Sequence, residues 1–531
     1  MERSGRSRIL CRVFALLCLL APALPACDGG GGGGGRKATK DLPPVVFMAD
    51  KDVVGTIELY LSSDAGEEIR KISGTMVSGG DVVDFRVSHD GDLVAYLADQ
   101  ETDEVFELYV FDADVGGPVK VSGELAGRQV TQFAWAPNDS RVAYLADQDT
   151  RNTFELYSSL PNGADNFRVS GDLILGGSVE GFAWSPDSAR LAYLADQDEV
   201  NVFELYASMP DGSANLRISD TPITGGNVED DFAWAPSSLR VGYRANHDKV
   251  LVIDLYTSEA SLSSINVSGR LLPGSNVTGF SWAPDSSRLA YRANQNNVTR
   301  FDLYTTRQNQ APSTPISSLN FPNTAVGAFE WAPNSSRIAY TANQDSAAVR
   351  ELYTGQPTVS GVNVRVSGPM AAGSHVVGFS WAPDSSLLAY LADQDMINTF
   401  ELYTAPPAVR DGDARVSGSL VAGGNVVDFA WSPDSACLAY LADQDRVNRF
   451  ELYTSAPDGR DNTRASGALV TGGNVEEFAW DPNGWGLGYI ADEDQVKVFE
   501  LYLAVPDGSD RARASGALVP GGNVYKFAWT P

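Results

Sequence analysis

Aromatic anchors return along this chain at a nearly fixed interval. A Phe-Ala/Ser-Trp triplet or a close variant ends at Trp135, Trp184, Trp234, Trp282, Trp331, Trp381, Trp431, Trp480 and Trp529. Val87 holds the equivalent place in Asp84-Phe-Arg-Val87. A Leu-Tyr pair recurs at Tyr60, Tyr109, Tyr157, Tyr206, Tyr256, Tyr304, Tyr353, Tyr403, Tyr453 and Tyr502. Both series step by 48 to 50 residues. Ten tandem units at one period restrict the chain to repeat architectures, whatever its length of 531 residues would otherwise suggest.

One unit shows what repeats. It runs Asn425-Val-Val-Asp-Phe-Ala-Trp431, Ser432-Pro-Asp-Ser435, Cys437-Leu-Ala-Tyr-Leu441, Asp443-Gln-Asp445, Phe450-Glu-Leu-Tyr-Thr454, Ala456-Pro-Asp-Gly459 and Thr463-Arg-Ala-Ser-Gly467. Four short stretches, most rich in β-branched and aromatic residues, alternate with turn clusters. Ser-Pro-Asp-Ser places Pro at the second position of a type I turn, where its fixed φ fits. No stretch has helical periodicity long enough for a helix. Four strands per unit of this size predict an all-β fold of propeller blades. The Trp residues then serve packing, since burying one aromatic side chain is worth about 4–6 kcal/mol as an upper transfer figure.

The string Trp-Ser-Pro-Asp-Ser-x-x-Leu-Ala-Tyr, at Trp184 to Tyr193 and Trp431 to Tyr440, resembles the repeat of TolB-type propellers, relatives of the WD-repeat propellers. Phe450-Glu-Leu-Tyr and the following Pro-Asp-Gly match that repeat's third strand and turn. The resemblance covers residues 44–531 and implies a β-propeller. It departs from TolB in having no α/β domain before the propeller and in its higher unit count.

The termini suggest how the ring closes. Val45-Val-Phe-Met-Ala-Asp50 matches a second strand, and Val524-Tyr-Lys-Phe-Ala-Trp529 a first strand. One unit is split between the two ends, so the last strand is expected to complete the first blade and hide two open sheet edges. A single ring of ten blades is the expectation, with an open or paired-ring arrangement as the alternative.

Residues 1–26 read as a signal peptide: four arginines, then the short apolar core Val13 to Leu20. Leu24-Pro25-Ala26-Cys27 resembles the bacterial lipobox, which implies a lipid on Cys27; Pro25 departs from the usual small or apolar residue. Residues 27–43 form a Gly-rich tether that includes seven consecutive glycines, Gly29 to Gly35. The propeller fills 44–531. Processing leaves only Cys27 and Cys437, too few for a disulfide framework. Cys437 stands where other units carry Arg141, Arg190 and Arg288 and reads as incidental. The expected location is a bacterial envelope, with the exported chain held on a membrane by its lipid alone. The formal charge is −29, and loss of a leader carrying +3 makes it about −32. Such a surface repels nucleic-acid phosphates and anionic lipid heads and favours solubility.

Two acidic positions look most like chemistry. The residue before Leu-Tyr is acidic in all ten units: Glu58, Glu107, Glu155, Glu204, Asp254, Asp302, Glu351, Glu401, Glu451 and Glu500. In eight units a base follows 13 or 14 residues later: Lys71, Lys120, Arg168, Arg217, Arg365, Arg415, Arg464 and Arg513. The other two units have Asn266 or Pro315 there, and in those two Glu has shrunk to Asp. The expectation is a structural cross-strand pair, Glu155 with Arg168, Glu204 with Arg217, Glu401 with Arg415, Glu451 with Arg464 and so on, abandoned jointly in two blades. The second position is Asp-x-Asp after the second strand: Asp147 and Asp149, Asp196 and Asp198, Asp393 and Asp395, Asp443 and Asp445, with Asp492, Asp494, Asp50 and Asp52. These form a candidate acidic loop face. Calcium would need about 6–8 oxygens. The first Asp becomes Asn246, Asn294 and Asn343 in three successive units, which keeps a turn-capping carbonyl but loses charge, so a turn role is favoured.

His89, His247 and His375 fall at different repeat positions. No nucleophile elbow, Cys-x-x-Cys or phosphate-binding loop occurs. The expected function is non-catalytic: an envelope-anchored propeller lipoprotein that binds a protein, with no catalytic residues, no metal and no cofactor. The alternatives are a small-ligand or carbohydrate binder or hydrolase using the central channel, marked by His89 and the Asn-rich units around His247, Asn294 and Asn296, and a calcium-stabilised scaffold.

Overall fold

A computed structural model describes residues 38–125, 129–259, 264–269, 271–321 and 324–531. The signal peptide, the lipobox with Cys27 and the glycine tract lie outside the described residues. The described chain forms ten four-stranded antiparallel sheets. Blade one takes its first strand from the C-terminus, Val524–Trp529, followed by Val45–Ala49, Glu58–Ser63 and Glu68–Lys71. Blade nine is typical of the rest, with Val426–Trp431, Leu438–Ala442, Glu451–Ser455 and Thr463–Arg464. The closure pairs Val45 with Trp529 and Phe47 with Phe527.

One apolar cluster lies between every two neighbouring blades, from blades one and two through to blades ten and one. The structure is therefore one closed ring of ten blades, and the open and paired-ring alternatives are excluded. The second strand, Leu-Ala-Tyr-Leu-Ala in its commonest form, is buried along its length because both of its faces meet neighbours. The fourth strand is short and mostly exposed. In every blade the first strand carries a bulge after its opening valine.

The nine repeated tryptophans do more than fill space. Each indole N–H donates to the first strand of the preceding blade, on the carbonyl of the residue before its Trp or, in blade two, before Val87. Trp135 reaches Arg86 at 3.0 Å, Trp282 reaches Ala233 at 3.0 Å, and Trp381 reaches Glu330 at 3.3 Å. The others span 3.1 to 3.4 Å. Val87 cannot make this bond across the seam between blades one and two. Lys526 crosses it instead, paired with Asp84 and donating to the Phe85 carbonyl at 3.1 Å.

Antiparallel order puts two kinds of connection on opposite sides of the ring. Turns joining strands one to two and three to four share one side, here the turn face. Loops joining strands two to three, and strand four to the next blade, share the other, the loop face. On the turn face, the hydroxyls of Ser188, Ser238, Ser286, Ser335, Ser385 and Ser435 accept a backbone N–H from the preceding blade's turn at 2.9 to 3.1 Å. These serines sit at positive φ, between 60° and 65°. Cys437 is buried between blades nine and ten and disulfide-bonded, so it is not incidental. The other three cysteines fall outside the described residues.

Trp331→Ala is expected to destabilise the ring by about 3–5 kcal/mol, and Trp331→Phe, which keeps most of the packing but loses the indole bond, by about 1 kcal/mol. Chemical denaturation followed by intrinsic fluorescence checks the order and size of the two effects.

Candidate functional site

The acids of the third strand come first, because they are the largest set of like charges at one repeat position. Eight glutamates lie against bases on the neighbouring fourth strand, each base standing opposite the Tyr two residues after its Glu. Glu58 is 2.7 Å from Lys71, Glu107 3.1 Å from Lys120, and Glu155 3.0 Å from Arg168. Glu204 is 2.7 Å from Arg217, Glu351 2.8 Å from Arg365, and Glu401 3.0 Å from Arg415. Glu451 is 3.0 Å from Arg464, and Glu500 2.9 Å from Arg513. The carboxylates are buried while the bases reach solvent. Each glutamate's second oxygen accepts the hydroxyl of the Tyr two residues on, at 2.6 to 3.1 Å. Burial first, and then the neighbouring carboxylates, push these tyrosine hydroxyls above their ordinary range.

The two aspartate units lack the cross-strand pair, but their acids meet another base. Asp254 is 3.3 Å from Lys249, and Asp302 is 2.9 Å from Arg300. The base has moved from the fourth strand to the loop just ahead of the third. A shorter carboxylate cannot reach across the sheet, so it is met from its own strand. Ser268 and Ser317 supply the remaining hydrogen bonds, at 3.1 and 3.0 Å.

The Asp-x-Asp acids are equally committed to the protein. The first Asp staples two loops. Asp147 accepts the Gln129 N–H at 2.7 Å on one oxygen and the Asn152 N–H at 2.9 Å on the other. Asp196 does the same with Ser178 and Asn201, Asp393 with His375 and Asn398, and Asp443 with Asn425 and Asn448. The receiving Asn152, Asn201, Asn398 and Asn448 hold φ of 60° to 62°, so the carboxylate fixes a left-handed turn. Asn246 and Asn294 keep the first bond, each at 2.6 Å. Asn294 and Asn343 turn Nδ2 to the Val298 and Val349 carbonyls, both at 2.9 Å. The second Asp accepts the third-strand Tyr hydroxyl: Asp149 from Tyr157 at 3.0 Å, Asp198 from Tyr206 at 3.3 Å, Asp395 from Tyr403 at 3.1 Å and Asp445 from Tyr453 at 3.2 Å.

The residue between these acids carries a role that the sequence reading missed. Gln100 accepts the Tyr96 hydroxyl at 2.9 Å and the N–H of Gly74, in the preceding blade, at 3.2 Å. Gln148 and Glu493 bridge to Gly123 and Gly467 in the same way, both at 2.9 Å. The signal was present in the recurrence of Gln inside Asp-Gln-Asp and of Gly after the preceding unit's serine. In blade five both change together: the Gln is His247 and the Gly is Asp220. His247 is buried against Tyr256, with ring centroids 4.1 Å apart, and neither ring nitrogen has a hydrogen-bond partner. Its Nε2 lies 3.8 Å from Asp220 and 3.9 Å from Asp248. His89 lies elsewhere, on the turn face, with Nδ1 2.7 Å from Asp139.

Symmetry breaks in the channel wall as well. At the residue before Trp the repeat is small, except for Arg86 in blade two and Glu330 in blade seven, five blades away. Arg86 lies on the ring of Phe133, 5.4 Å from its centroid. A cleft of about 300 Å³ opens beside it, lined also by Asp84, Gln132 and Phe182. Asp84 there is already paired with Lys526. Among the described residues, no group of three His, Cys, Asp or Glu could hold a metal ion.

Residues 60–271 match the family Gmad1, described as the lipoprotein LpqB beta-propeller domain. The match runs from blade one into the loop after blade five, less than half of the chain. No curated protein matches. Among solved structures, one described as the crystal structure of the eukaryotic initiation factor is 11% identical with a TM-score of 0.49, over 92% of this chain and 99% of that one. Nothing about this chain's role follows from that likeness.

Two expectations follow from these bonds. Burial holds His247 below its ordinary pKa, against the opposing pull of Asp248, Asp220 and Asp254. Above about pH 6.5 the neutral ring adds no pH-dependent cost, but below it the unfolded chain takes up a proton that the folded ring resists, so this residue lowers stability in acid. The melting temperature of wild type is expected to fall more between pH 7 and pH 5 than that of His247→Gln. Because the loop carboxylates are already bonded internally, a chelator such as EDTA is expected to leave the melting temperature unchanged; a fall that calcium reverses would restore the scaffold reading.

Proposed function

We propose that this chain is a non-catalytic, lipid-anchored β-propeller of a bacterial envelope that binds a protein partner through its loop face. One observation carries the reading. Of the 26 large apolar side chains exposed among the described residues, 14 sit in the loop-face connections. Leu175, Leu251 and Met396 are 96%, 77% and 65% exposed, and Val54, Val200, Val298, Ile397, Val447 and Val496 place an aliphatic tip on six blades. Apolar side chains gathered on one face mark interaction sites. The acids that could have served chemistry are spent on Tyr, Arg and backbone N–H partners. The match of residues 60–271 to a lipoprotein propeller domain supports the class, and the lipobox-like Leu24-Pro25-Ala26-Cys27 supports the anchor.

The test is affinity capture from detergent-solubilised envelopes, with the bait carrying its native leader. Wild type and a Val200→Asp, Ile397→Asp, Val447→Asp variant serve as paired baits. Wild type is expected to bring down a stoichiometric protein that the variant, equally folded by its melting curve, does not. Recovery of bait alone, or the same proteins with both baits, overturns the reading. The intact mass of the same bait reads the anchor. A lipid on Cys27 adds its acyl mass, whereas one sulfur cannot carry both a thioether and a disulfide, so a Cys27 joined to Cys437 overturns the anchor.

A further inference from the structure

We infer that the ring sits on its membrane with the turn face toward the lipid and the loop face outward. This rests on lipidation of Cys27, and it names which face a partner can reach. The argument starts from where the chain joins the propeller. Strand Val45–Ala49 begins beside the end of Val524–Trp529, on the turn face. The residues just before it are held on that face. Leu42 is 7% exposed, packed in the core between blades ten and one. The Thr39 N–H and hydroxyl both reach Asp510, at 2.8 and 3.1 Å. Asp510 belongs to the turn between the third and fourth strands of blade ten, again on the turn face.

From Thr39 the distance to the lipid is bounded by chain length. Residues 27–37 are eleven, and at full extension they span roughly 40 Å at most. To bring the loop face down, those residues would have to climb the outer wall of the ring. The wall is a strand of five or six residues, about 17–20 Å, with a connection at each end. The wall alone takes about half of the reach, before its connections are passed, whereas the turn face needs none of it. The anchor therefore favours one face by geometry alone. It leaves the aliphatic tips of the loop face where a soluble partner can meet them.

An edge-on arrangement would also satisfy one tether at the rim, so the test separates facing from tilting. Blades four and nine lie five apart around the ring. Asp211 and Asp458 are exposed on their turn face, and Val200 and Val447 on their loop face. Each is replaced singly by Cys in the full-length lipidated protein. The thiol is reacted with a polymer-linked maleimide on phosphatidylcholine vesicles and again after release in detergent. Asp211→Cys and Asp458→Cys are expected to react several-fold more slowly on vesicles than in detergent, and Val200→Cys and Val447→Cys at equal rates. Slow reaction of the two loop-face thiols overturns the inference. So does protection of both faces in blade nine and of neither in blade four, the edge-on result. Hydroxyl-radical oxidation of wild-type Met209, on the turn face, and Met396, on the loop face, gives the same contrast without substitution. Failure of the lipid reading looks different, because the protein then does not float with the vesicles at all.

Discussion

The bond on which this structure turns runs from each tryptophan indole to a carbonyl of the blade before it. A four-stranded blade has two apolar faces and cannot bury either alone. The apolar clusters between blades supply most of the free energy, but they are non-directional and would tolerate sliding. An N–H aimed at one carbonyl sets the offset between neighbouring first strands, where the ring is narrowest. The hydroxyls on the turn face and the Gln-to-Gly bridges on the loop face repeat that role farther out. Several interfaces are thus pinned both near the channel and on one or both faces. The seam between blades one and two is the exception, with Val87 in place of the indole and Lys526 bonded to Asp84 and Phe85 instead. It is also where the C-terminal strand closes the circle, so the strand that arrives last carries the substitute.

The same interfaces explain why an acidic repeat need not be an active site. In a typical blade one tyrosine hydroxyl lies between two carboxylates, as Tyr157 lies between Glu155 and Asp149. Arg168 meets the far oxygen of Glu155. The chain of loop acid, hydroxyl, strand acid and base ties the second-to-third-strand loop to the fourth strand. A single hydroxyl proton cannot serve both acids fully, so the base must supply what remains. That is why the base is replaced rather than lost when Glu becomes Asp. Asp254 and Asp302 recruit Lys249 and Arg300 from a different place in the chain.

Much of this was legible from the residues alone. Period, strand content and the split unit at the termini lead to ten blades closed by a shared sheet. A fixed spacing of 13 or 14 residues places the Arg or Lys diagonally across a hairpin from the Glu, opposite the Tyr two residues on, as Arg168 lies opposite Tyr157. The bridges between blades were harder. Gln100 and Gly74 lie 26 residues apart with two strands between them, and either residue alone reads as ordinary turn chemistry. The relocated bases were hidden for a related reason. Lys249 and Arg300 sit at different offsets from their acids, and a repeat alignment makes only equal offsets visible. Blade five shows the limit most clearly, since His247 and Asp220 each look like an isolated deviation until the fold sets them against one another.

Tenfold repetition also constrains where a function can sit. A small ligand presents a single face, so a channel site must be built from residues that break the symmetry. Here the clearest breaks along the channel wall, Arg86 and Glu330, stand on blades five apart, and the cleft beside Arg86 shares its carboxylate with Lys526. A protein partner has no such requirement. It can span several blades at once and use what the repeat multiplies, which on the loop face is an aliphatic tip next to an exposed acid. Val200 beside Asp198, and Val496 beside Asp494, are two instances, with those acids 61% and 71% exposed. Repetition that dilutes a catalytic site enlarges a docking surface. Spent internal acids and unspent apolar tips are what the proposed docking role asks of a propeller.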